Sequence, residues 1–144
     1  MQSDKDHTGH MTRGMFIGLL CQAFGDETED VFSPGQDHGW LEYEDELYKD
    51  DPVSRKVMAR IFHMYLLKEK GVNDLPDIRD AAELRDLYDC RVCANHVAQV
   101  YLRGIMDAKD LSAKGRFMWF DLDGEDEKTV IEEYIRRAVE LVKN

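Results

Sequence analysis

Thr12-Arg13-Gly14-Met15-Phe16 and Asp51-Pro52-Val53-Ser54-Arg55 carry one signal twice: a hydroxyl residue, an arginine, then an amphipathic run. Counted from the hydroxyl, the first run places Phe16, Leu19, Leu20 and Phe24 at +4, +7, +8 and +12. The second places Met58, Ile61, Phe62 and Leu66 at the same offsets. That spacing buries one face of a helix. The hydroxyl suits an N-cap, where its oxygen accepts from a free backbone N–H of the first turn. Helices are therefore expected over residues 12–24, ending at Gly25, and 54–70, ending at Gly71.

Working outward, residues 1–11 read as a leader. Residues 26–51 read as an acidic, turn-rich segment around Ser33-Pro34-Gly35, with a short helix over 42–48. A helical stretch spans 81–103, with a break near Asp89, and Val92, His96, Val97, Val100 and Tyr101 fall on one stripe of its later half. Phe117-Met118-Trp119-Phe120 reads as a strand or a buried loop. The last helix, over 125–142, carries Ile131, Tyr134, Ile135, Ala138, Val139 and Val142 on one face. Setting Glu127 against Thr12 and Ser54 puts Lys128 at the arginine position and Ile131, Tyr134 and Ile135 at +4, +7 and +8, a third, degenerate copy. The expected fold is a mainly α single domain over 12–144. Its predicted core takes in Phe16, Leu20, Phe24, Met58, Ile61, Phe62, Val97, Val100, Tyr101, Ile131 and Ile135.

Met11 to Phe16 with Leu19-Leu20 and Phe24-Gly25 resembles the "TR" helix of S-layer homology domains. Residues 51–55, with Met58-Ala59, Ile61 and Tyr65, resemble that helix in a following repeat. Asp77-Ile78-Arg79-Asp80, leading through Val97, Val100 and Tyr101 to Gly104-Ile105-Met106, is similar to the part of a repeat that ends in a Gly-Ile turn. The resemblance implies a pseudo-repeat bundle and attachment to an anionic cell-wall polysaccharide. Arg13 and Arg55 would hold the polymer in open grooves, with Thr12 and Ser54 beside them. A planar guanidinium suits that task because it grips a carboxylate with two hydrogen bonds; the alternative is that each arginine pairs with a nearby acidic residue and only braces the helix start. Two departures from the family pattern stand out. Residues 25–52 lack the usual aromatic-alanine helix and Gly-Ile turn, and the third copy has no Thr-Arg or Ser-Arg pair.

The chain has 144 residues, with 30 acidic against 19 basic side chains and a net charge of −11. Such a surface repels phosphate backbones, so nucleic acid is not expected as a direct ligand. It fits instead a cytosolic inhibitor or adaptor that occupies a basic protein, such as a nucleic-acid-binding enzyme. Acids concentrate between the first two helices with aromatics among them. Trp40, Tyr43, Glu44, Asp45, Glu46 and Tyr48 are the candidate partner face, the aromatics anchoring and the acids steering; the alternative is a solvated loop whose aromatics fold back on the core. No apolar stretch has membrane-spanning length. Taken as complete, the chain is expected in the cytosol; cut from a secreted precursor, at the cell surface.

Three cysteines argue against a disulfide framework and favour a reducing compartment. Cys90-x-x-Cys93-x-x-His96 has the spacing of a partial metal site, but a zinc tetrahedron needs a fourth ligand, Cys21 or His63. Core thiols or a redox pair are the alternatives. Asp121-x-Asp123-Gly124, with Glu132, departs from a calcium loop because glycine stands two places early, and reads as a turn before an acidic helix start. No nucleophile elbow or phosphate loop occurs, and no catalytic residue or cofactor is assigned.

Overall fold

The computed structural model describes residues 10–26, 29–110 and 118–143, and within them the protein is mainly helical. Three long helices come from the three sequence copies: α1 (Arg13–Ala23), α4 (Arg55–Glu69) and α6 (Lys128–Lys143). Between them lie α2 (Phe32–His38), α3 (Tyr43–Leu47) and α5 (Ala94–Leu102). A two-residue antiparallel pair, β1 (Lys109–Asp110) and β2 (Met118–Trp119), aligns Lys109 with Trp119 and Asp110 with Met118.

The predicted caps form. Thr12 Oγ1 accepts from the Met15 N–H at 3.2 Å, and Ser54 Oγ from the Val57 N–H at 3.4 Å. The backbone then repeats itself in a way that fixes the register of the copies. The Arg13 and Gly14 N–H groups donate to the carbonyls of Asp51 and Lys49, both at 2.8 Å. Arg55 and Lys56 donate to those of Gly124 and Leu122, both at 2.9 Å. Asp51 and Gly124 each stand three residues before the next cap, since 54 − 51 and 127 − 124 are equal, and Lys49 and Leu122 each stand five before it. The alignment of Glu127 with Thr12 and Ser54 is thus met by hydrogen bonds as well as by apolar spacing. His10, two residues before Thr12, pairs with Glu125, two before Glu127, and joins the third seam to the first.

The core forms where these helices meet. Phe16, Leu20, Met58, Ile61, Phe62, Val97, Val100, Ile131 and Ile135 are buried as predicted, while Phe24 and Tyr101 are half-buried against it. Phe16 and Phe62 pack edge to face with ring centres 5.1 Å apart, joining the first two copies directly. Met11, read as leader, belongs to this core, and its carbonyl accepts from the Val53 N–H at 2.9 Å.

Other expectations are corrected. Residues 32–38 form α2 instead of a turn: Asp30 accepts from the Phe32 and Ser33 N–H groups, and Pro34 falls in the first turn, where no amide donor is needed. Gly35 is required there, because a Cβ would stand 2.7 Å from Cγ of buried Leu41. The helix expected over 81–103 is 3₁₀ turns at Arg79–Glu83, Leu87–Asp89 and Arg91–Cys93, followed by α5. Buried Asp86 explains much of that break. Its carboxylate accepts from the N–H groups of Phe120, Asp121 and Leu122 at 2.7, 2.7 and 3.3 Å, tying the segment to the chain after β2. Val92 leaves the predicted stripe and is 85% exposed. Phe117 lies outside the described residues.

Candidate functional site

Arg13 opens α1, where a cation gains nothing from the helix dipole. Its Nη1 donates to Asp45 Oδ1 at 3.0 Å. Arg60 of α4 grips the same carboxylate with both Nη atoms, at 3.0 and 2.7 Å, and the Glu42 N–H donates to it at 2.7 Å. Burial alone would raise the Asp45 pKa. The hydrogen bonds from Arg60 and Glu42 and the charges of Arg60 and Arg13 outweigh it and hold the carboxyl below its ordinary range. Two guanidinium groups thus share one carboxylate at a groove of about 350 Å³, whose lining also includes Glu42, Lys56, Cys93 and His96.

Arg55 stands elsewhere, contrary to the expectation of an open groove. It has no exposed surface. Its Nε donates to the Phe120 carbonyl at 2.7 Å and Nη1 to Tyr134 Oη at 3.0 Å. Nη1 also donates to Asp126 and Nη2 to the Asp107 carbonyl, and the Phe120 ring centre lies 4.6 Å from the guanidinium. Arg55 is an internal brace between α4, the chain after β2, and α6. The Thr12 and Ser54 hydroxyls are engaged in capping.

The predicted partner face divides. Trp40 is 3% exposed, packs edge-on against Tyr65 at 4.6 Å and donates its indole N–H to Glu69 at 2.9 Å. Asp45 is buried under the two arginines. Neither can meet a partner. Tyr43, Leu47 and Tyr48 are 71%, 58% and 46% exposed, with exposed Glu44 and Glu46 between them.

Cys90 and Cys93 are joined in a single local disulfide, three residues apart, and not in a framework, in place of the core thiols or metal ligands the spacing also allowed. The pair is therefore not a metal-ligand pair in this structure. Among the described residues no three His, Cys, Asp or Glu side chains form a group that could hold a metal ion. Cys21 is the buried free thiol, pushed up to about 11 by burial and by the nearby acids Asp26 and Glu69. In the turn before α6, Asp121 pairs with Lys109 at 3.2 Å and Asp123 with Lys56 at 2.8 Å.

His96 meets His63 Nδ1 to Nδ1 at 2.7 Å, and His63 Nε2 contacts Asp74 at 2.6 Å. Burial, then the charges of His63 and Arg60, lower the His96 pKa to about 4, with Asp74 opposing. A depressed histidine lets the unfolded chain take up a proton that the native state refuses. Its contribution to stability is complete above about pH 6.5, the ordinary histidine value, and is lost as pH falls from there to about 4. Urea unfolding of His96→Leu should lose that part of the pH dependence between pH 7 and 5, while wild type keeps it.

Arg60, Asp86 and Asp126 were missed by sequence reasoning. Arg60 reads as a solvated helix charge, and nothing in its spacing announces Asp45. Comparison of the chain with protein-family models, with curated proteins and with solved structures finds no match.

Proposed function

We propose that this chain is a non-catalytic binding module that holds an anionic cell-wall polysaccharide through the groove at Arg13. The observation that carries this reading is the convergence of Arg13 and Arg60 on Asp45. Asp45 balances one of the two guanidinium charges and Glu42 approaches Arg60 Nε at 3.9 Å, so in this reading the carboxylate or similar anion is held on the Arg13 side of the groove. The capped repeats that resemble S-layer homology helices support the same reading. So does the Cys90–Cys93 disulfide, since such links persist in oxidising surroundings outside the cytosol. Arg13, assisted by Arg60, is the ligand-binding residue in this reading, and Arg55 supports the fold alone.

A second reading rests on α3. Tyr43, Leu47 and Tyr48 are exposed beside Glu44, Glu46, Asp50 and Asp51, the composition of a face that anchors on a basic protein. In that reading the chain is an acidic inhibitor or adaptor of a nucleic-acid-binding enzyme. The described residues include no helix long and apolar enough to cross a membrane.

One experiment separates the two. Purified wild type and Arg13→Ala are incubated with Gram-positive cell-wall sacculi and, separately, with a cytosolic lysate. Wild type should be retained on sacculi and Arg13→Ala at least about tenfold less, the scale of one lost charge-assisted hydrogen bond. Equal retention of both proteins would sink the groove reading. No retention on sacculi, with a basic protein recovered in a salt-sensitive way, would move the function to α3.

A further inference from the structure

The Cys90–Cys93 disulfide lies between two cavities of opposite character. Cys93 is the N-cap of the nine-residue α5 and lines the groove that also holds Arg13, Lys56 and Arg60. Glu42 and Glu44 complete that wall, and Glu42 lies 3.9 Å from Arg60 Nε. Cys90 lines a separate cavity of about 230 Å³ with Asp86, Asp89, Asp121 and Asp123, and Lys56, shared between the two cavities, pairs there with Asp123 at 2.8 Å. Both cysteines are half-buried, and the turn between them is open to solvent at Arg91 and Val92. The two sulfurs therefore differ as leaving groups. A thiolate on Cys93 would face the positive end of α5 and a groove with Arg13 and Arg60 beside Glu42 and Glu44, whereas one on Cys90 would face four carboxylates against the single cation Lys56.

We propose that Cys90–Cys93 is a thiol–disulfide exchange site that accepts two electrons from a dithiol carried in a basic stretch of another protein. The partner's thiolate attacks Cys90 Sγ. A bond forms between those two sulfurs, the Cys90–Cys93 bond breaks, and its electron pair leaves on Cys93 Sγ, the better-stabilised thiolate. The partner's second thiol, its proton lost to solvent, then attacks the partner's own sulfur in the mixed disulfide. Cys90 departs as a thiolate and takes a proton from water. The partner ends as a disulfide and this chain as a dithiol. Basic residues around the donor thiol offset the carboxylates that surround Cys90 and keep the donor as thiolate. Cys21 is buried and takes no part. The proposal does not rest on polysaccharide binding, although Cys93 lines the same groove.

The test uses the intact wild-type chain and three small thiols of different charge: cysteamine, 2-mercaptoethanol and 2-mercaptoethanesulfonate. Each rate of disulfide opening is corrected for the fraction of reagent present as thiolate. Attack at Cys90 predicts cysteamine fastest and the sulfonate slowest, at least about tenfold apart at low salt and converging as salt screens the acids. Cysteamine should also open the folded chain at least about tenfold faster than the chain unfolded in urea, where Cys93 loses its helix and cations. Mass spectrometry of the quenched first step should place the mixed disulfide on Cys90. Either of two results overturns the proposal: opening no faster than in the unfolded chain, which makes the link purely structural, or adducts on Cys93 with the charge order reversed.

Discussion

Arg55→Ala should unfold the protein more readily than wild type by about 3–5 kcal/mol, the range for removing one partner of a buried ion pair. The guanidinium has no exposed surface, and its loss leaves Asp126 buried without its main counter-charge. Lys109 Nζ, 3.4 Å from the other carboxylate oxygen, gives partial relief. The carbonyls of Phe120 and Asp107 and the Tyr134 hydroxyl also lose a donor. Urea unfolding at pH 7 measures the loss. Arg55→Met combined with Asp126→Leu should recover part of it, because apolar side chains of similar volume remove the orphaned charge, although the carbonyls stay unsatisfied. A single variant within 1 kcal/mol of wild type would mean that water or a rearranged Lys109 replaces Arg55, and the brace would lose its place in the fold.

That expectation follows from the brace, one of the two roles the sequence allows Arg55, and local pattern alone could not choose between them. Thr12-Arg13 and Ser54-Arg55 look alike in sequence, and their caps and backbone hydrogen bonds are alike in structure. What separates the arginines is distant in the chain. Arg13 meets Asp45, 32 residues on, and Arg55 meets Asp126, 71 residues on. Helical period and caps follow from neighbours within a few residues, so α1, α4 and the apolar face of α6 were legible. Carboxylates that fold inward resemble the many that do not. Asp45, Asp86 and Asp126 are three of 30 acidic residues, and no local feature marks them. Trp40 was misread for the same reason: its acidic neighbourhood in sequence is not its neighbourhood in space, which is Tyr65 and Glu69. The Cys90–Cys93 spacing is plain in the sequence, but its pairing depends on the 3₁₀ turn at 91–93 that interrupts the predicted helix before α5.

Asp45→Asn tests the groove and the fold together. At pH 7 the neutral amide leaves Arg13 and Arg60 facing each other without the carboxylate they share and retains one acceptor oxygen where the carboxylate had two. A loss of about 3 kcal/mol is expected, at the lower end of the range for a broken buried pair because Glu42 also lies 3.9 Å from Arg60. The pH profile gives the sign independently. A carboxyl held below its ordinary value contributes stability that is present above the unfolded pKa, near 3.8, and is lost as pH falls below it. Asp26 and Asp74 share that acid window, since their pKa values are also lowered. The informative quantity is therefore the difference between wild type and Asp45→Asn, which should shrink as pH drops from 5 to 2. The binding arm then separates two roles for the carboxylate. With Asp45 neutralised, more positive charge faces the groove while its geometry loosens. If the ligand needs Arg13 held in place, sacculus retention falls in Asp45→Asn at a temperature where the variant is fully folded. If charge alone recruits the polymer, retention rises. Loss of stability with retention unchanged would leave Asp45 as a brace and remove the shared-carboxylate argument for the groove.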